Sequence, residues 1–217
     1  MTALPIKSEY GPTLGRLLSP HWRAASAPLR ALALAAIALL LAGLVGLALT
    51  LQDAKYSHGG RLPFSFAYRD LYRVAPDPGG FVKVRSSFPN GTLKYSFAVA
   101  PLRMPAYAGE QTAEVPVFAT GLVRTLASRY RDFAFRGEGR TRISNTSSGY
   151  AILFTARVQG ERVYGRAVLL LPPGRGVREG VIATMLTAAT ASKQVLSPIE
   201  VGTSGVLLRP MKSLAFG

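Results

Sequence analysis

The hydrophobic residues of this chain first form one unbroken block. Residues 31–51 are 21 positions without a charge, and Thr50 is the single polar side chain among them. At about 1.5 Å of rise per residue, a helix of this length crosses a hydrocarbon core of about 30 Å. A buried helix of a soluble protein is the alternative, but such helices rarely run past about three turns without a polar residue. The block therefore predicts one transmembrane helix.

Beyond residue 61, apolar and polar residues alternate, in contrast to the unbroken apolar block. Residues 64–68 alternate aromatic side chains with small or charged ones, which is typical of a strand with one buried face. A second strand is predicted at 81–86. Asn90-Gly91 is a hairpin signal, and the alternation over 93–99 predicts the strand that follows it. Three antiparallel strands thus come first.

Helical and strand patterns follow in turn. Apolar spacing predicts an amphipathic helix over 115–130, with Pro116 tolerated in its first turn. One strand is predicted over 133–143, and a hairpin over 150–171 has strands that are apolar on both faces. A second helix is predicted after Pro172-Pro173-Gly174. The residues of its apolar stripe are Val181, Ile182, Met185, Leu186 and Ala189.

This order, β-β-β-α-β-β-β-α behind an N-terminal transmembrane helix, predicts the α+β class, with a mostly antiparallel β-sheet packed with two helices. The predicted regions are a cytoplasmic basic tail at 1–30, the transmembrane helix at 31–51, a polar linker at 52–61, an extracytoplasmic α+β domain at 62–195 and a C-terminal extension at 196–217.

The region 62–192 resembles the PsbP/DcrB-like superfamily. The resemblance rests on the aromatic opening strand Phe64-Ser65-Phe66-Ala67-Tyr68, on a long helix before a three-strand meander, and on the hairpin from Gly149-Tyr150 to Leu171. It implies an exported accessory or assembly protein without catalytic residues, often attached to a membrane. Two features depart from that pattern: the transmembrane anchor, which replaces a lipid anchor or cleaved signal, and the tail after residue 196.

Basic residues suggest the orientation in the membrane. Four of them precede the apolar block against one acid, Glu9, and two follow it near Asp53: Lys7, Arg16, Arg23 and Arg30 before, Lys55 and Arg61 after. Basic flanks favour the cytoplasmic side, so the N-terminus is predicted inside and the C-terminal domain outside. A cleaved signal peptide has a core of about 7–15 residues and a small-x-small site, whereas Ala48-Leu49-Thr50 is a poor site. An uncleaved signal-anchor in the cell membrane is therefore expected.

Net charge narrows the expected partners. The chain carries a formal +15, of which +3 lies in the first 51 residues and +12 beyond them. A domain outside the cytoplasm does not meet nucleic acid, so anionic lipid headgroups, wall polymers or other envelope proteins are the expected partners. The alternative is that the basic surface only keeps the domain soluble. With no cysteine, the chain has no lipobox anchor, disulfide or thiol chemistry.

The residue types argue against catalysis. His21 and His58 are the two histidines, one in the tail and one in the predicted linker, and the acids are scattered. General acid–base catalysis, a nucleophilic triad and a zinc site all need such groups in clusters. No catalytic residue, cofactor site or metal site is predicted.

One group of basic residues does indicate binding. Arg136, Arg140 and Arg142 are at even spacing on a predicted strand, so they are expected to share a face. Arg124 and Arg131 on the preceding helix are expected nearby. Guanidinium groups suit phosphate and carboxylate, which makes this set the candidate anion site. The alternative is a solvated strand face on which Glu138 pairs locally.

A second candidate lies in the apolar block. Ala38, Ala42 and Gly46 are spaced i, i+4 and i+8, a small-xxx-small face that lets two helices approach closely. This makes a homodimer through the transmembrane helix a candidate assembly.

These observations predict a membrane-anchored extracytoplasmic binding or scaffold module without catalytic activity, which engages anionic lipid or an acidic partner. Two alternatives stay open. One is a bitopic subunit of a larger envelope secretion or transport complex, and the other is a membrane-proximal hydrolase.

Overall fold

The computed structural model describes residues 26–50, 53–74, 76, 78–106, 114–143, 148–174 and 177–217. The chain divides into two compact units, one ending at Gln52 and the other running from Asp53 to Gly217. The described part of the first unit is helix α1 (Ala27–Thr50). All other elements belong to the second unit, which we call the folded unit.

Helix α1 is, among the described residues, the one helix long and apolar enough to cross a membrane. It begins at Ala27, four residues before the predicted start. Pro28 falls in the first turn, where the backbone N–H that proline lacks would have no helical acceptor. The predicted helix is thus confirmed as a helix, and its passage through a membrane stays a prediction.

The elements of the folded unit are, in chain order, β1 (Ala54–His58), β2 (Phe64–Tyr68), β3 (Tyr72–Val74), β4 (Val82–Ser87), β5 (Leu93–Arg103), α2 (Glu114–Arg129), β6 (Arg131–Arg142), β7 (Ser148–Val158), β8 (Glu161–Leu170), β9 (Glu179–Ala188), a 3-10 turn (Pro198–Glu200), α3 (Leu208–Ser213) and β10 (Ala215–Phe216). A seven-stranded antiparallel sheet has the order β3-β4-β5-β9-β8-β7-β6. A second sheet has three strands in the order β1-β2-β10.

One face of the large sheet packs against the small sheet and the C-terminal segment. The ring centroids of Phe66 on β2 and Phe97 on β5 are 4.9 Å apart, and both side chains are buried. Leu207, Met211 and Leu214 join the same core. The segment predicted as a C-terminal extension is therefore part of the core.

Polar contacts hold the two ends of the folded unit on β2. The carboxylate of Asp53 accepts a hydrogen bond from Arg69 Nε at 3.2 Å and another from Arg209 of α3. Ser213, at the end of α3, accepts one from the backbone N–H of Ala67 at 2.8 Å. The first and last parts of the unit thus stabilise each other.

The opposite face of the large sheet carries α2, which packs on β6 and β7. Ala119 and Leu126 of α2 are buried with Ile152 and Phe154 of β7. Gly165 on β8 makes room for this core, because a Cβ at that position would overlap the Phe154 ring. We call this face of the sheet the α2 face.

The α+β class and the mostly antiparallel sheet are confirmed, but the position of the second helix is wrong. The segment predicted as that helix is β9. Val181, Ala183 and Met185 lie in one core, whereas Ile182 and Leu186 pack with the other. A strand buried on both faces has a continuous apolar run, which also fits helical spacing. The additional helix is α3, near the C-terminus.

The predicted linker at 52–61 is also wrong, because it contains β1. This strand pairs with β2 along its length, and Tyr56 stands opposite Phe66. Three residues, 51–53, separate α1 from β1. The strand escaped prediction because Tyr56 is its one large apolar side chain, too little for a period-2 pattern.

Candidate functional site

The five arginines of the predicted anion site do not share one face. Arg140 stands opposite Tyr150 of β7, which packs into the core under α2, so Arg140 lies on the α2 face. Arg136 donates a hydrogen bond from Nε to Thr155 Oγ1 at 3.2 Å. Thr155 follows Phe154, whose side chain is under α2, so Arg136 lies on the opposite face. The cause is a β-bulge at Arg136, which reverses the alternation of side chains.

Arg140 belongs to a small polar set with Glu138 and Tyr150. Burial raises the pKa of the Tyr150 phenol, and the charge of Glu138 and a hydrogen bond with it act in the same direction, while Arg140 lowers that pKa. The Glu138 carboxylate also offsets the positive charge beside it. These contacts support the alternative of a solvated strand face with local pairing.

Arg142 follows Arg140 by two residues with no register shift between them, so it also lies on the α2 face, and it is exposed. Arg124 is exposed on α2. Arg131, at the start of β6, is paired with Arg157 of β7 and lines the end of a large groove that lies mainly on the α2 face. Anion binding by the five arginines stays a prediction, and the structure brings Arg131 together with a different set of cations.

This groove lies beside α2 and over part of β4 and β5. Its volume is about 490 Å³. Short side chains of β5 and β9 form its floor: Ser96, Ala98, Ala100 and Thr184. The turn at Gly79-Gly80 also lines it, and positive φ angles such as the +82° at Gly79 suit glycine. We call it the basic groove.

Five cationic residues line the basic groove, and none of its described lining residues is acidic. Lys83 and Arg85 of β4 form the β4 rim. Arg129 lies at the end of α2, Arg131 at the start of β6 and Arg157 at the end of β7, and we call these three residues the α2 rim. The ladder pairs Arg131 with Arg157 on the side of β7 that carries Thr155, so these two border the groove from the end of the sheet. The groove is therefore positive on two sides.

The cationic residues of the two rims differ in the contacts that they make with other residues. Arg157 pairs with Asp132, with 3.0 Å between Nε and Oδ2. The guanidinium of Arg129 lies 5.9 Å from the ring centroid of Tyr130. Arg85 and Arg131 have no side-chain hydrogen-bond or ion-pair partner among the residues that the structure describes. These two are the best placed to bind an added anion.

Local sequence explains both rims. Val82 and Val84 are buried in the core toward the small sheet, so the alternating Lys83 and Arg85 point to the α2 face. Tyr130 packs 5.5 Å from the Phe154 ring and fixes the reversal of the chain from α2 into β6. The alternation of valine with basic residues at 82–85 was the available signal for the β4 rim, although we used this segment only to predict a strand.

The other residues that could take part in catalysis or metal binding do not form a cluster within the described part of the chain. The ring of His58 packs 4.4 Å from Phe81 and 5.0 Å from Phe64, and His21 lies outside the described residues. No group of three or more His, Asp or Glu side chains within the described ranges is placed to hold a metal ion. A second, mainly apolar cavity of about 430 Å³ lies beside α2 and is lined by Met104 and Phe118.

The small-residue face of α1 is only partly described. Ala38 and Ala42 are exposed and one turn apart. Gly46 is in the same helix, but its side-chain surroundings lie outside the described residues. Homodimerisation through this face stays a prediction, and loss of helix association on Gly46→Ile in a membrane reporter assay would support it.

Comparisons with known proteins give no family. No family model matches this chain, and no curated protein matches its sequence. Among solved structures, the chain is similar to LpqN of Mycobacterium tuberculosis, a protein involved in cell envelope biogenesis, with 8% identity and a TM-score of 0.48 over 76% of this chain and 91% of LpqN. It is also similar to PA94 of Pseudomonas aeruginosa, a protein of unknown function, with 13% identity and a TM-score of 0.33 over 64% of this chain and 85% of PA94. Likenesses this weak carry no argument about function, and the resemblance to the PsbP/DcrB-like superfamily stays a prediction.

Proposed function

We propose that this protein is a membrane-anchored binding module that holds an anionic ligand in the basic groove and has no catalytic activity. In this proposal, α1 is an uncleaved signal-anchor, the N-terminus is cytoplasmic and the folded unit is extracytoplasmic. The apolar length of α1 and the basic residues that precede it support this arrangement. The observation that carries the binding function is a groove with cations on two sides and no acid among its described lining residues.

The chemistry of the rims favours anions with several oxygens. A guanidinium presents its N–H donors in a planar fork that matches the oxygens of phosphate or carboxylate. Arg85 is half-buried, and a partly buried charge interacts more strongly with an anion than a fully solvated one does. A bound anion would also reduce the mutual repulsion of the five cations.

The positions of the titratable groups support binding over catalysis. The described lining of the basic groove contains no histidine, aspartate or glutamate to act as a general acid or base. Side chains with shifted pKa values often mark catalytic sites, but Tyr95, Tyr150 and Arg166, whose pKa values are shifted, are not among the lining residues. A subunit of a larger envelope complex and a membrane-proximal hydrolase remain alternatives without a supporting observation.

Charge reversal in the groove tests this proposal. Full-length protein in nanodiscs of zwitterionic lipid is titrated with linear polyphosphate, and its dissociation constant is compared with that of the variant carrying Arg85→Glu and Arg131→Glu. Each lost contact to a charged group is worth about 1.5–3 kcal/mol, so we expect binding to weaken about 100-fold or more.

The matched control carries Arg140→Glu and Arg142→Glu, which changes the net charge equally but lies outside the groove lining. This control is expected to bind almost as well as the wild type. Equal weakening in both variants would mean that polyphosphate is attracted to the positive surface in general, and the proposed site would then be refuted. Absence of wild-type binding at low salt would refute it as well.

A further inference from the structure

We infer that the basic groove binds an extended anionic polymer, a linear chain whose repeating units carry phosphate or carboxylate groups, and not a single anionic group. This inference rests on the proposed function, because it requires the groove to be the anion site. It adds the shape of the ligand and predicts a dependence of affinity on chain length.

The distance between the rims carries the inference. Lys83 and Arg85 are on β4, Arg157 is on β7, and the strands β5, β9 and β8 lie between them. Neighbouring strands are about 4.8 Å apart, so these four spacings separate β4 from β7 by about 19 Å. Arg131 is on β6, one strand further. A single phosphate or carboxylate group is only a few ångströms across, which is several times less than this separation of the strand backbones.

The surface between the rims leaves a path for a chain. Ala98 stands opposite Lys83, and Thr184 stands opposite Ala98, so the row that leads away from the β4 rim consists of short side chains. Ser96 occupies the next position on this face, opposite Arg85. The hydroxyl group of Thr184 can donate a hydrogen bond to an anionic oxygen, whereas Ser96 is buried. The groove volume of about 490 Å³ is in the range of sites for ligands much larger than one phosphate.

A ligand that reaches both rims gains from its length. Once one segment of a chain binds the β4 rim, the next segment meets the α2 rim at a high effective concentration, and affinity rises without any new kind of contact. A lipid headgroup occupies one rim and lacks this gain. Affinity that rises with chain length, up to the span of the groove, is therefore the expected signature of a polymer.

A series of phosphate compounds tests this signature. Full-length protein in zwitterionic nanodiscs is titrated with orthophosphate, tripolyphosphate and a linear polyphosphate long enough to span about 19 Å. At equal phosphate concentration, we expect the long chain to bind about 100-fold more tightly than tripolyphosphate. Arg85→Glu or Arg131→Glu alone should remove most of that advantage, because either change disables one rim. Arg142→Glu, with the same change in charge, should retain it.

Other results separate this inference from the proposed function. If tripolyphosphate binds as tightly as the long chain, and the double groove variant still loses binding, the polymer inference is overturned while the groove remains the anion site. If the groove and control variants behave alike, both ideas fail. If mixed phosphatidylglycerol and phosphatidylcholine vesicles outcompete the long chain at the groove, the ligand is a lipid surface and the polymer inference is overturned.

Thermal midpoints of all variants identify those that are misfolded. If a glutamate variant unfolds, the Arg85→Gln and Arg131→Gln variants take its place in the same comparison. These variants remove the positive charge without reversing it. The expected result is then a smaller loss of the long-chain advantage in the same direction. Unchanged binding of both glutamine variants would overturn the inference.

Discussion

The α2 face of the large sheet has a covered part and an open part. In the covered part, Ile152 and Phe154 of β7 and Ala167 of β8 are fully buried. In the open part, Lys83 and Arg85 of β4 line the basic groove. The same seven-stranded antiparallel sheet runs through both parts, so strand pairing alone does not distinguish them. The difference lies in side-chain chemistry and in the reach of one helix.

The width of an α-helix explains why α2 alone leaves much of this face of the sheet uncovered. An α-helix with its side chains is about 10 Å wide, which is about two strand spacings. The edge strands of a seven-stranded sheet are about 29 Å apart, so α2 covers less than half of the width. The sequence is consistent with this limit, because apolar residues face α2 and short or basic residues form much of the groove lining.

Phe154→Ala is expected to have the largest effect, because it breaks the covered part. Its ring is fully buried and stacks on Tyr130 and Phe133 at 5.5 and 5.3 Å. Truncation of a buried phenylalanine costs about 3–5 kcal/mol, so the free energy of unfolding should fall by about that amount. Urea denaturation measures it. A loss below about 1 kcal/mol would show that α2 does not seal this core.

The same substitution in both parts gives a direct comparison. Ala98 and Ala167 are in one cross-strand row, separated by Thr184, and Ala167 is fully buried under α2 whereas Ala98 lies in the groove floor. Ala167→Leu should destabilise the protein by about 1–3 kcal/mol through overpacking. Ala98→Leu should leave the free energy of unfolding within about 0.5 kcal/mol of the wild type and obstruct polyphosphate binding. Equal destabilisation would mean that the two parts are packed alike.

Charge reversal in the open part should hardly change stability. Arg85 and Arg131 have no side-chain partner among the described residues, so reversing both should shift the free energy of unfolding by no more than about 1 kcal/mol. Thermal unfolding at moderate salt measures this shift. A loss of several kcal/mol would indicate that the two guanidinium groups support the fold and are unsuitable probes of binding.

The smallest expected effect concerns the Tyr150 phenol, at the edge of the covered part. Burial raises its pKa above the ordinary value of 10.0, so the folded protein retains the phenol proton more strongly than the unfolded chain. This contribution to stability is complete below about pH 10 and is lost as the pH rises through the folded-state pKa. Tyr150→Phe should flatten the stability profile in this alkaline range. An unchanged profile would show that the phenol ionises equally in both states.

Local patterns predicted several elements well. The hairpin over 150–171 and the helix over 115–130 agree closely with β7, β8 and α2, because the helix carries its own period and the hairpin its own turn signal. Strand β9 was wrongly predicted, since burial on both faces removed the alternation that marks a strand. The shared face of Arg136 and Arg140 was also wrong, because a bulge depends on pairing with β7 and leaves no periodic mark in the chain.

The sequence alone shows the apolar block, the absence of cysteine, the excess of basic residues and the alternation of Lys83 and Arg85 with valine. These are properties of composition or of neighbouring residues, so they can be recognised without a fold. The meeting of Lys83 and Arg85 with Arg131 across one groove is different. It depends on the strand order β4-β5-β9-β8-β7-β6 and on α2 packing over β6 and β7. Strand order and helix placement are fixed by burial of apolar surface between segments distant in the chain, and short-range periodicity carries no information about such contacts.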